Sequence, residues 1–208
     1  MAIKDIFQAV LTFDEARVPD LVRAELEAGT EVEAVLNQGL IGAMDEVGRK
    51  FTEGDLFVPE MLLAAQTMKA GLELLRPLLA DSDTKPKGTV VIGTVKGDLH
   101  DIGKNLVSMM LEGAGFKVVD LGVDVDADKF IEAARTNQAE LVALSALLTT
   151  TMPAMGDIVA MLKEHGAGTK SMVGGAPVTQ DFAEQIGADG YAQDAPGAVE
   201  LARSLIRA

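Results

Sequence analysis

The 208-residue sequence contains no cysteine and no tryptophan, and it has a single tyrosine. The lack of cysteine excludes disulfide bonds, thiolate metal sites, iron–sulfur clusters and a cysteine nucleophile. Aromatic residues make up 4% of the chain, which is too few for the base-stacking surfaces of single-stranded nucleic-acid binding proteins. Any redox chemistry must therefore come from a bound cofactor.

Basic residues are also scarce. The chain has 18 Lys and Arg against 32 Asp and Glu, for a formal net charge of −14, so it lacks the basic surface that nucleic-acid binding requires. It also lacks a run of about 18 uncharged apolar residues, the minimum for a membrane-spanning helix. We therefore expect a cytoplasmic protein with no nucleic-acid partner and no membrane partner.

The first 80 residues are predicted to be helical. One stripe of apolar residues alternates between spacings of four and three, which indicates one buried helix face; its members are Met61, Ala65, Met68, Leu72, Leu75 and Leu79. A second stripe of apolar residues covers 32–47. Gly29 and Thr30 precede it and are interpreted as a helix stop and an N-cap. With shorter helices at 3–11 and 15–28, the segment is predicted to form a four-helix bundle.

A charged segment with Pro, Gly and Ser, DSDTKPKG at 81–88, is predicted to be a linker. Beyond it, strands are predicted at 89–95, 116–121, 140–145, 170–174 and 189–192, and helices at 103–114, 126–137, 153–165, 179–187 and 196–207. Apolar strands that alternate with helices are typical of a doubly wound, flavodoxin-like α/β domain with a five-stranded parallel sheet. The predicted organisation is a helical domain over 1–80, a linker over 81–88 and a sheet domain over 89–208.

The loop after the first predicted strand reads KGDLHDIGKN and holds His100, one of two histidines in the chain. In such sheets, ligands bind at the carboxyl ends of the strands. Asp98 can accept the imidazole N–H and leave the other ring nitrogen free for a metal, and Gly103 lets the chain turn closely into the next helix. The alternative is that Asp98 is an N-cap for that helix.

Two further loops end at the same edge of the predicted sheet. Ser145 closes the third strand and precedes a cluster of hydroxyl residues that includes Thr149 and Thr151, of which Thr151 is also a candidate cap for the following helix. Gly174 and Gly175 close the fourth strand, where backbone can lie flat against a ligand or form an ordinary turn. Together the three loops predict a narrow slot lined by Gly, Ser and Thr beside a histidine.

These residues resemble the cobalamin-binding signature of base-off/His-on corrinoid proteins in order and spacing. The matching set is Asp98-x-His100-x-x-Gly103, then Ser145-x-Leu147, then Gly174-Gly175. The helical domain, with FVPE at 57–60 before its last helix, resembles the cap of methyl-carrying corrinoid proteins. The resemblance covers essentially the whole chain. It is strongest to the small corrinoid subunits of methanol, methylamine and methoxyaromatic methyltransferase systems, and the chain is also similar to the cobalamin-binding region of methionine synthase.

The resemblance implies that His100 binds cobalt in place of the cofactor's own base, with Asp98 as its hydrogen-bond partner and Thr151 as the third member of the relay. The implied cofactor-binding residues are His100, Asp98, Asp101, Ile102, Gly103, Ser145, Leu147, Thr149, Thr151, Gly174, Gly175, Phe57 and Met61. Ser145, Leu147 and the two glycines would line the slot for the nucleotide tail. Phe57, with Met61 or Leu62 nearby, would cover the upper face of the cofactor, although Met61 fits the helical seam equally well.

The function implied by the resemblance is that of a cobalamin-dependent methyl carrier. Its expected partners are a substrate-specific methyltransferase, a second methyltransferase that passes the methyl group to a folate-type or thiol acceptor, and a reductive activation protein. The chain offers no site of its own for the methyl source, so no residue is predicted to be catalytic, and the linker 81–88 is the expected hinge for opening the cap. The sequence does not indicate which compound supplies the methyl group.

Other functions make different demands on the sequence. The small subunit of an adenosylcobalamin-dependent mutase should lack the helical cap, and a light-sensing cobalamin regulator should have a DNA-binding segment. A flavodoxin-like signalling domain expects an aspartate where Ser145 stands. A flavodoxin-like electron carrier expects a hydroxyl-rich phosphate loop after the first strand and aromatic residues around the flavin.

Overall fold

The computed structural model describes residues 2–80, 86–165 and 168–207. Most of the predicted linker, at 81–85, lies outside the described residues. None of the helices within the described ranges is long and apolar enough to cross a membrane. The chain forms two compact units, of which the first comprises Met1–Lys85 with Gly113–Gly115 and the second Pro86–Glu112 with Phe116–Ala208.

The first unit is helical, as predicted. Its elements are α1 (Ala2–Leu11), α2 (Val18–Glu27), α3 (Val32–Ala34), a π-helical segment (Val35–Ile41), α4 (Gly42–Thr52) and α5 (Val58–Ala80). The largest fully buried side chains of this unit include Ile6, Leu40, Met61, Met68 and Leu75, which confirms that the apolar seam of α5 faces a core. A Cβ atom at Gly71 would lie 2.8 Å from Val18 Cγ1, so this glycine allows α2 and α5 to pack closely.

Two local expectations in this unit meet different outcomes. Gly29 ends α2 with a left-handed φ of 82°, as a helix-stop glycine should. The prediction that Thr30 is the N-cap of the next helix is wrong, because the capping position is Glu31 and no side chain caps it. The Thr30 hydroxyl instead donates to Glu25 Oε2, which belongs to a buried carboxylate.

The second unit alternates strands and helices. Its elements are β1 (Thr89–Thr94), α6 (Ile102–Gly113), β2 (Lys117–Asp120), α7 (Ala127–Thr136), β3 (Leu141–Ser145), α8 (Pro153–His165), β4 (Lys170–Gly174), α9 (Gln180–Ile186), β5 (Gly190–Tyr191) and α10 (Ala195–Arg207). The strands form one parallel sheet in the order β2-β1-β3-β4-β5, a flavodoxin-like order. The predicted five-stranded parallel sheet is therefore confirmed.

The core of this unit lies along the central strands β1, β3 and β4, which are almost entirely buried. One cluster joins these strands to α7, α8 and α9, and its buried members include Val91, Phe130, Leu144, Met155, Ile158 and Val173. Burial of apolar area, at roughly 25 cal/mol per Å², stabilises the sheet. The loops at its carboxyl edge therefore extend from a well-packed core.

Candidate functional site

The sheet register brings together the carboxyl ends of β1, β3 and β4. Thr94 pairs with Ser145, and Ser145 pairs with Gly174, so the three loops that follow these strands start side by side. The strand order of this sheet reverses between β1 and β3. In open α/β sheets, ligands bind at such a switch point. The predicted convergence of the three loops is therefore present.

Asp98, in the loop after β1, is completely buried and accepts hydrogen bonds on both carboxylate oxygens. Oδ1 accepts from the His100 ring nitrogen Nδ1 at 2.7 Å and from the His100 backbone N–H at 3.1 Å. Oδ2 accepts from the backbone N–H groups of Leu147 at 2.7 Å and Leu148 at 3.3 Å. The carboxylate thus joins the loop after β1 to the loop after β3.

Thr151 supplies one more donor to the same carboxylate. Its hydroxyl lies 2.8 Å from Asp98 Oδ2 and 2.9 Å from the Leu148 carbonyl oxygen, so its single proton has two acceptors within reach. The alternative interpretations of Asp98 and Thr151 as helix N-caps are wrong, since Asp98 accepts from His100, which precedes α6, and Thr151 Oγ1 donates rather than accepts. Both side chains are committed to the site.

These contacts set the charge state of Asp98. Burial by itself would raise the pKa of the carboxyl. The bonds from the Leu147 N–H, from the ring and N–H of His100 and from the Thr151 hydroxyl outweigh burial and hold the pKa of Asp98 well below its ordinary value. Asp98 is therefore a carboxylate throughout the neutral range.

His100 is oriented by Asp98 and remains accessible. Because the carboxylate accepts at Nδ1, that nitrogen donates, and in the neutral imidazole the lone pair lies on Nε2. The side chain of His100 is 52% exposed, and among the described residues no hydrogen-bond partner is found for Nε2. This pairing of a carboxylate with an exposed imidazole is the arrangement that holds a metal-ligating histidine.

The glycines of the site have two distinct roles. Gly175 has a φ of 131°, and a Cβ atom there would lie 1.9 Å from the Ala146 carbonyl oxygen, so the close approach of the β3 and β4 ends requires this glycine. At Gly174 a Cβ atom would lie 3.1 Å from the Ala192 carbonyl oxygen. At Gly103, by contrast, a Cβ atom would meet nothing within 4 Å. The space beside Gly103 is open.

Large apolar side chains are exposed in the loop that carries His100 and in the loop that contacts Asp98. Leu99 is 72% exposed and Ile102 76% exposed, and Leu147 and Leu148 are each 42% exposed. Exposed apolar clusters of this kind mark binding sites. An accessible imidazole nitrogen, open space at Gly103 and an apolar rim fit a broad apolar ligand that carries a metal ion, as a corrinoid does.

The remaining predicted site residues are placed differently. Asp101 is exposed, and its Oδ2 accepts from the Asn105 amide at 3.0 Å. Thr149 lies exposed in the turn before Thr151, and among the described residues it makes no hydrogen bond with Asp98. In the helical unit Phe57 is 66% exposed, whereas Met61 is fully buried.

Sequence reasoning missed several residues that hold the loop. The buried Thr94 donates from its hydroxyl to the His100 carbonyl oxygen at 2.9 Å. Asp124 accepts from the Gly97 N–H at 2.9 Å, and its own N–H donates to the Asp98 carbonyl oxygen at 3.0 Å. The sequence offered one signal for these residues, namely Thr94, a threonine at the end of an apolar strand.

Models of known protein families match both units of the chain. Residues 88–200 match one family model described as a B12 binding domain, and residues 2–76 match a second model with the same description. The two models cover the sheet unit and the helical unit separately. Together they account for nearly all of the chain.

Individual relatives agree with the family models. Trimethylamine corrinoid protein 1 of Methanosarcina acetivorans is 45% identical over 95% of this chain and 94% of that protein. Dimethylamine corrinoid protein 1 of the same organism is 46% identical over 83% of this chain and 82% of that protein. These relatives match across both units.

Solved structures give the same result. A chain of the methanol:cobalamin methyltransferase complex of Methanosarcina barkeri superposes with a TM-score of 0.89 at 34% identity, covering 99% of this chain and 80% of that one. A cobalamin-binding protein of Desulfitobacterium hafniense superposes with a TM-score of 0.80 at 28% identity, covering 98% of both chains. The chain thus belongs to the family of methyltransferase-associated corrinoid proteins built on B12 binding domains, and its cofactor is a corrinoid.

Proposed function

We propose that this protein is a methyl carrier that binds its corrinoid with His100 on cobalt and the cofactor's own base displaced. The observation that carries the proposal is the pair formed by Asp98 and His100. A buried carboxylate 2.7 Å from Nδ1 holds the ring, and Nε2 is left for a metal. When bound, the corrinoid supplies a cobalt centre that can accept a methyl group and release it.

The residues around His100 support this role. Asp98 fixes the tautomer and raises the basicity of the ligating nitrogen, as outer-shell carboxylates do. The Thr151 hydroxyl and the N–H groups of Leu147 and Leu148 keep Asp98 ionised. If that relay were weakened, Asp98 would hold the imidazole ring less firmly, and His100 would bind the metal of the corrinoid less tightly.

The open surface beside His100 supports the placement of the cofactor. Ile102 and Leu147 offer exposed apolar area to the corrin, and Gly103 offers free space. We propose that the nucleotide tail enters between the ends of β3 and β4, past Ser145 and Gly174. Asp101, Thr149, Thr151 and Gly175 complete the sheet-domain set, while contacts of Phe57 and Met61 with the upper face stay predictions.

The partners follow from the missing substrate site and from the relatives. Proteins named for trimethylamine and dimethylamine match this chain at 45% and 46% identity, and the methanol system matches at 34%. We propose that a methyltransferase specific for a methylated amine loads the protein. A second methyltransferase would unload it to a folate-type or thiol acceptor, and a reductive activation protein would restore the cofactor.

The competing corrinoid function is less well supported. The small subunit of an adenosylcobalamin-dependent mutase is expected to lack a helical cap, and this chain carries a helical unit that matches a B12 binding domain over residues 2–76. We therefore retain the division into a helical domain at 1–80, a linker at 81–88 and a cofactor domain at 89–208. The relatives named above are corrinoid and cobalamin-binding proteins, not signalling or electron-transfer domains.

Transfer of a labelled methyl group tests the carrier function. Corrinoid-loaded protein is incubated with 14C-labelled trimethylamine, dimethylamine or methanol, each with and without its substrate-specific methyltransferase. We expect label on the protein only with an amine and its methyltransferase, and release only after the second methyltransferase and its acceptor are added. If methanol with its methyltransferase labels the protein and neither amine does, the amine assignment is wrong. Transfer from substrate to acceptor by the isolated protein at roughly 1 per second or faster would overturn the carrier function.

A further inference from the structure

Lys104 is a buried lysine in the first turn of α6. It is 3% exposed, although lysine is among the residues least often buried, and a cation near a helix N-terminus is opposed by the helix dipole. Its ammonium group donates to Asp120 Oδ2, at the end of β2, and to Asn105 Oδ1 at 2.6 Å. The cofactor contacts proposed above do not use this group.

One partner of Lys104 leads to the backbone of His100. Asp120 Oδ1 accepts from the Gly122 N–H at 2.9 Å, and the Gly122 carbonyl oxygen accepts from the Thr94 N–H at 2.9 Å. The Thr94 hydroxyl then donates to the His100 carbonyl oxygen at 2.9 Å. Four consecutive hydrogen bonds thus connect the Lys104 ammonium to the peptide that follows the histidine.

The other partner of Lys104, Asn105, is hydrogen-bonded to Asp101, the residue on the far side of the same peptide. The Asn105 side-chain amide donates to Asp101 Oδ2 at 3.0 Å, and the Asn105 N–H donates to the Asp101 carbonyl oxygen at 2.7 Å. Asp101 directly follows His100 in the chain. The hydrogen bonds therefore form a closed ring, called here the Lys104 ring, made of Lys104, Asp120, Gly122, Thr94, His100, Asp101 and Asn105.

We propose that Lys104 is a positioning residue for His100, which it holds through the Lys104 ring. Asp98 fixes the imidazole, and the ring of hydrogen bonds fixes the backbone that carries it. Metal–ligand bonds tolerate deviations of only about 0.2 Å, so a histidine on a loop needs both constraints to meet a cobalt ion. The inference rests on the proposed function, because it concerns the geometry of the proposed axial ligand.

Stability alone does not account for a lysine at this position. Replacing a buried ion pair by apolar residues of similar volume is often neutral or stabilising. An apolar side chain of lysine's length would fill the same space at the start of α6 and would need no partners. What it could not do is bind Asp120 and Asn105 at once and so connect the end of β2 to the loop.

The test compares wild-type protein with Lys104→Met, which keeps the length of the side chain and removes its three donors. Asn105→Ala and Asp120→Asn, at partly exposed positions, break the ring elsewhere if Lys104→Met does not fold. Lys170→Met is the matched control, because Lys170 pairs with Asp189 at 3.2 Å at the other end of the sheet. Circular dichroism and thermal unfolding establish that each variant is folded.

Three measurements report on the histidine. The first is hydrogen exchange of backbone amides at 94–104 in cofactor-free protein, the second is the Kd for cobalamin, and the third is the nitrogen coupling in the electron paramagnetic resonance spectrum of bound Co(II) cobalamin. For Lys104→Met we expect faster exchange at 94–104, a Kd raised by about 10-fold or more, and partial loss of imidazole coupling. Asn105→Ala and Asp120→Asn should shift in the same direction, and Lys170→Met should match wild type.

The outcomes separate this inference from the proposed function. If wild type shows imidazole coupling and folded Lys104→Met retains its exchange rates, Kd and coupling, the Lys104 inference is wrong and the axial histidine stands. If wild type lacks imidazole coupling, the proposed ligation is wrong. In that case the exchange rates in cofactor-free protein still decide whether Lys104 holds the loop, since that measurement involves no cobalt.

Discussion

Asp98 is the residue on which the site depends most. Its carboxylate is completely buried and accepts from a ring nitrogen, from backbone N–H groups and from a hydroxyl. Hydrogen bonds to a charged acceptor contribute more to stability than neutral ones do, roughly 1.5–3 kcal/mol. The residue that orients His100 therefore also stabilises the folded protein without cofactor.

We predict that Asp98→Asn lowers the free energy of unfolding of the cofactor-free protein by roughly 2–4 kcal/mol. The asparagine amide cannot accept hydrogen bonds at its NH₂ group, so donors that now face one carboxylate oxygen lose their acceptor. Urea unfolding at pH 7 measures the loss. Asp101→Asn, an exposed neighbour, is the control and should change stability by less than about 0.5 kcal/mol.

The effect of Asp98 should also depend on pH. A carboxyl group whose pKa is depressed in the folded state stabilises the fold above its unfolded pKa of about 4, and this contribution is lost as the pH falls toward the folded pKa. The difference in unfolding free energy between wild type and Asp98→Asn should be constant above about pH 5 and shrink as the pH falls below 4. A difference that stays constant down to pH 3 would contradict the lowered pKa.

The local motif was sufficient to predict the pair Asp98 and His100, because two residues that lie this close in sequence can contact each other within one loop. Thr94, Asp120 and Gly122 could not be found in the same way. The hydrogen bonds that lead from Asp120 through Gly122 to Thr94 depend on the strand register that places β1 beside β2. Contacts between residues that are far apart in the sequence are seen only in the folded structure.

At the scale of elements, the apolar patterns predicted the helices and strands to within a few residues, but not the π-helical segment. The first four members of the second stripe, Val32, Leu36, Leu40 and Met44, advance by four residues at each step, and Val47 follows after three. On an α-helix of 3.6 residues per turn, each such step drifts by about 40°. The wider π-helical turn over Val35–Ile41 absorbs that drift, and a steady spacing of four does not by itself distinguish it from an α-helix.

The glycines at the element ends give a matched pair of substitutions. Gly175→Ala should destabilise the cofactor-free protein by roughly 2–4 kcal/mol, because its Cβ atom would overlap the Ala146 carbonyl oxygen. Gly103→Ala should change stability by less than about 1 kcal/mol, since its Cβ atom meets nothing, yet it should weaken cobalamin binding. Thermal unfolding and cobalamin titration measure both effects.

From the sequence alone, Gly174 and Gly175 have the same interpretation, because both end a strand. The structure distinguishes them, since the close approach of β3 and β4 requires Gly175. Undiminished cobalamin affinity in Gly103→Ala would show that the open space beside this residue is not used by the cofactor.

At the scale of the whole molecule, the second unit holds its own core. Every member of its main apolar cluster lies between Val91 and Tyr191, and a domain of about 120 residues can bury enough surface to fold alone. We predict that the fragment 86–208 unfolds in a single cooperative transition and binds cobalamin. Calorimetry and gel filtration with added cobalamin test this, and a fragment without a cooperative transition would contradict the independence of the unit.

The measurement that tests the central claim most directly is electron paramagnetic resonance of the Co(II) form bound to the full-length protein. The cobalamin carries a 15N-labelled base, and the protein carries 14N histidine. We expect 14N coupling from the protein imidazole, and its loss in His100→Ala but not in His165→Ala, whose exposed ring lies near the end of α8. Coupling to the labelled base of the cofactor in wild-type protein would contradict ligation by His100.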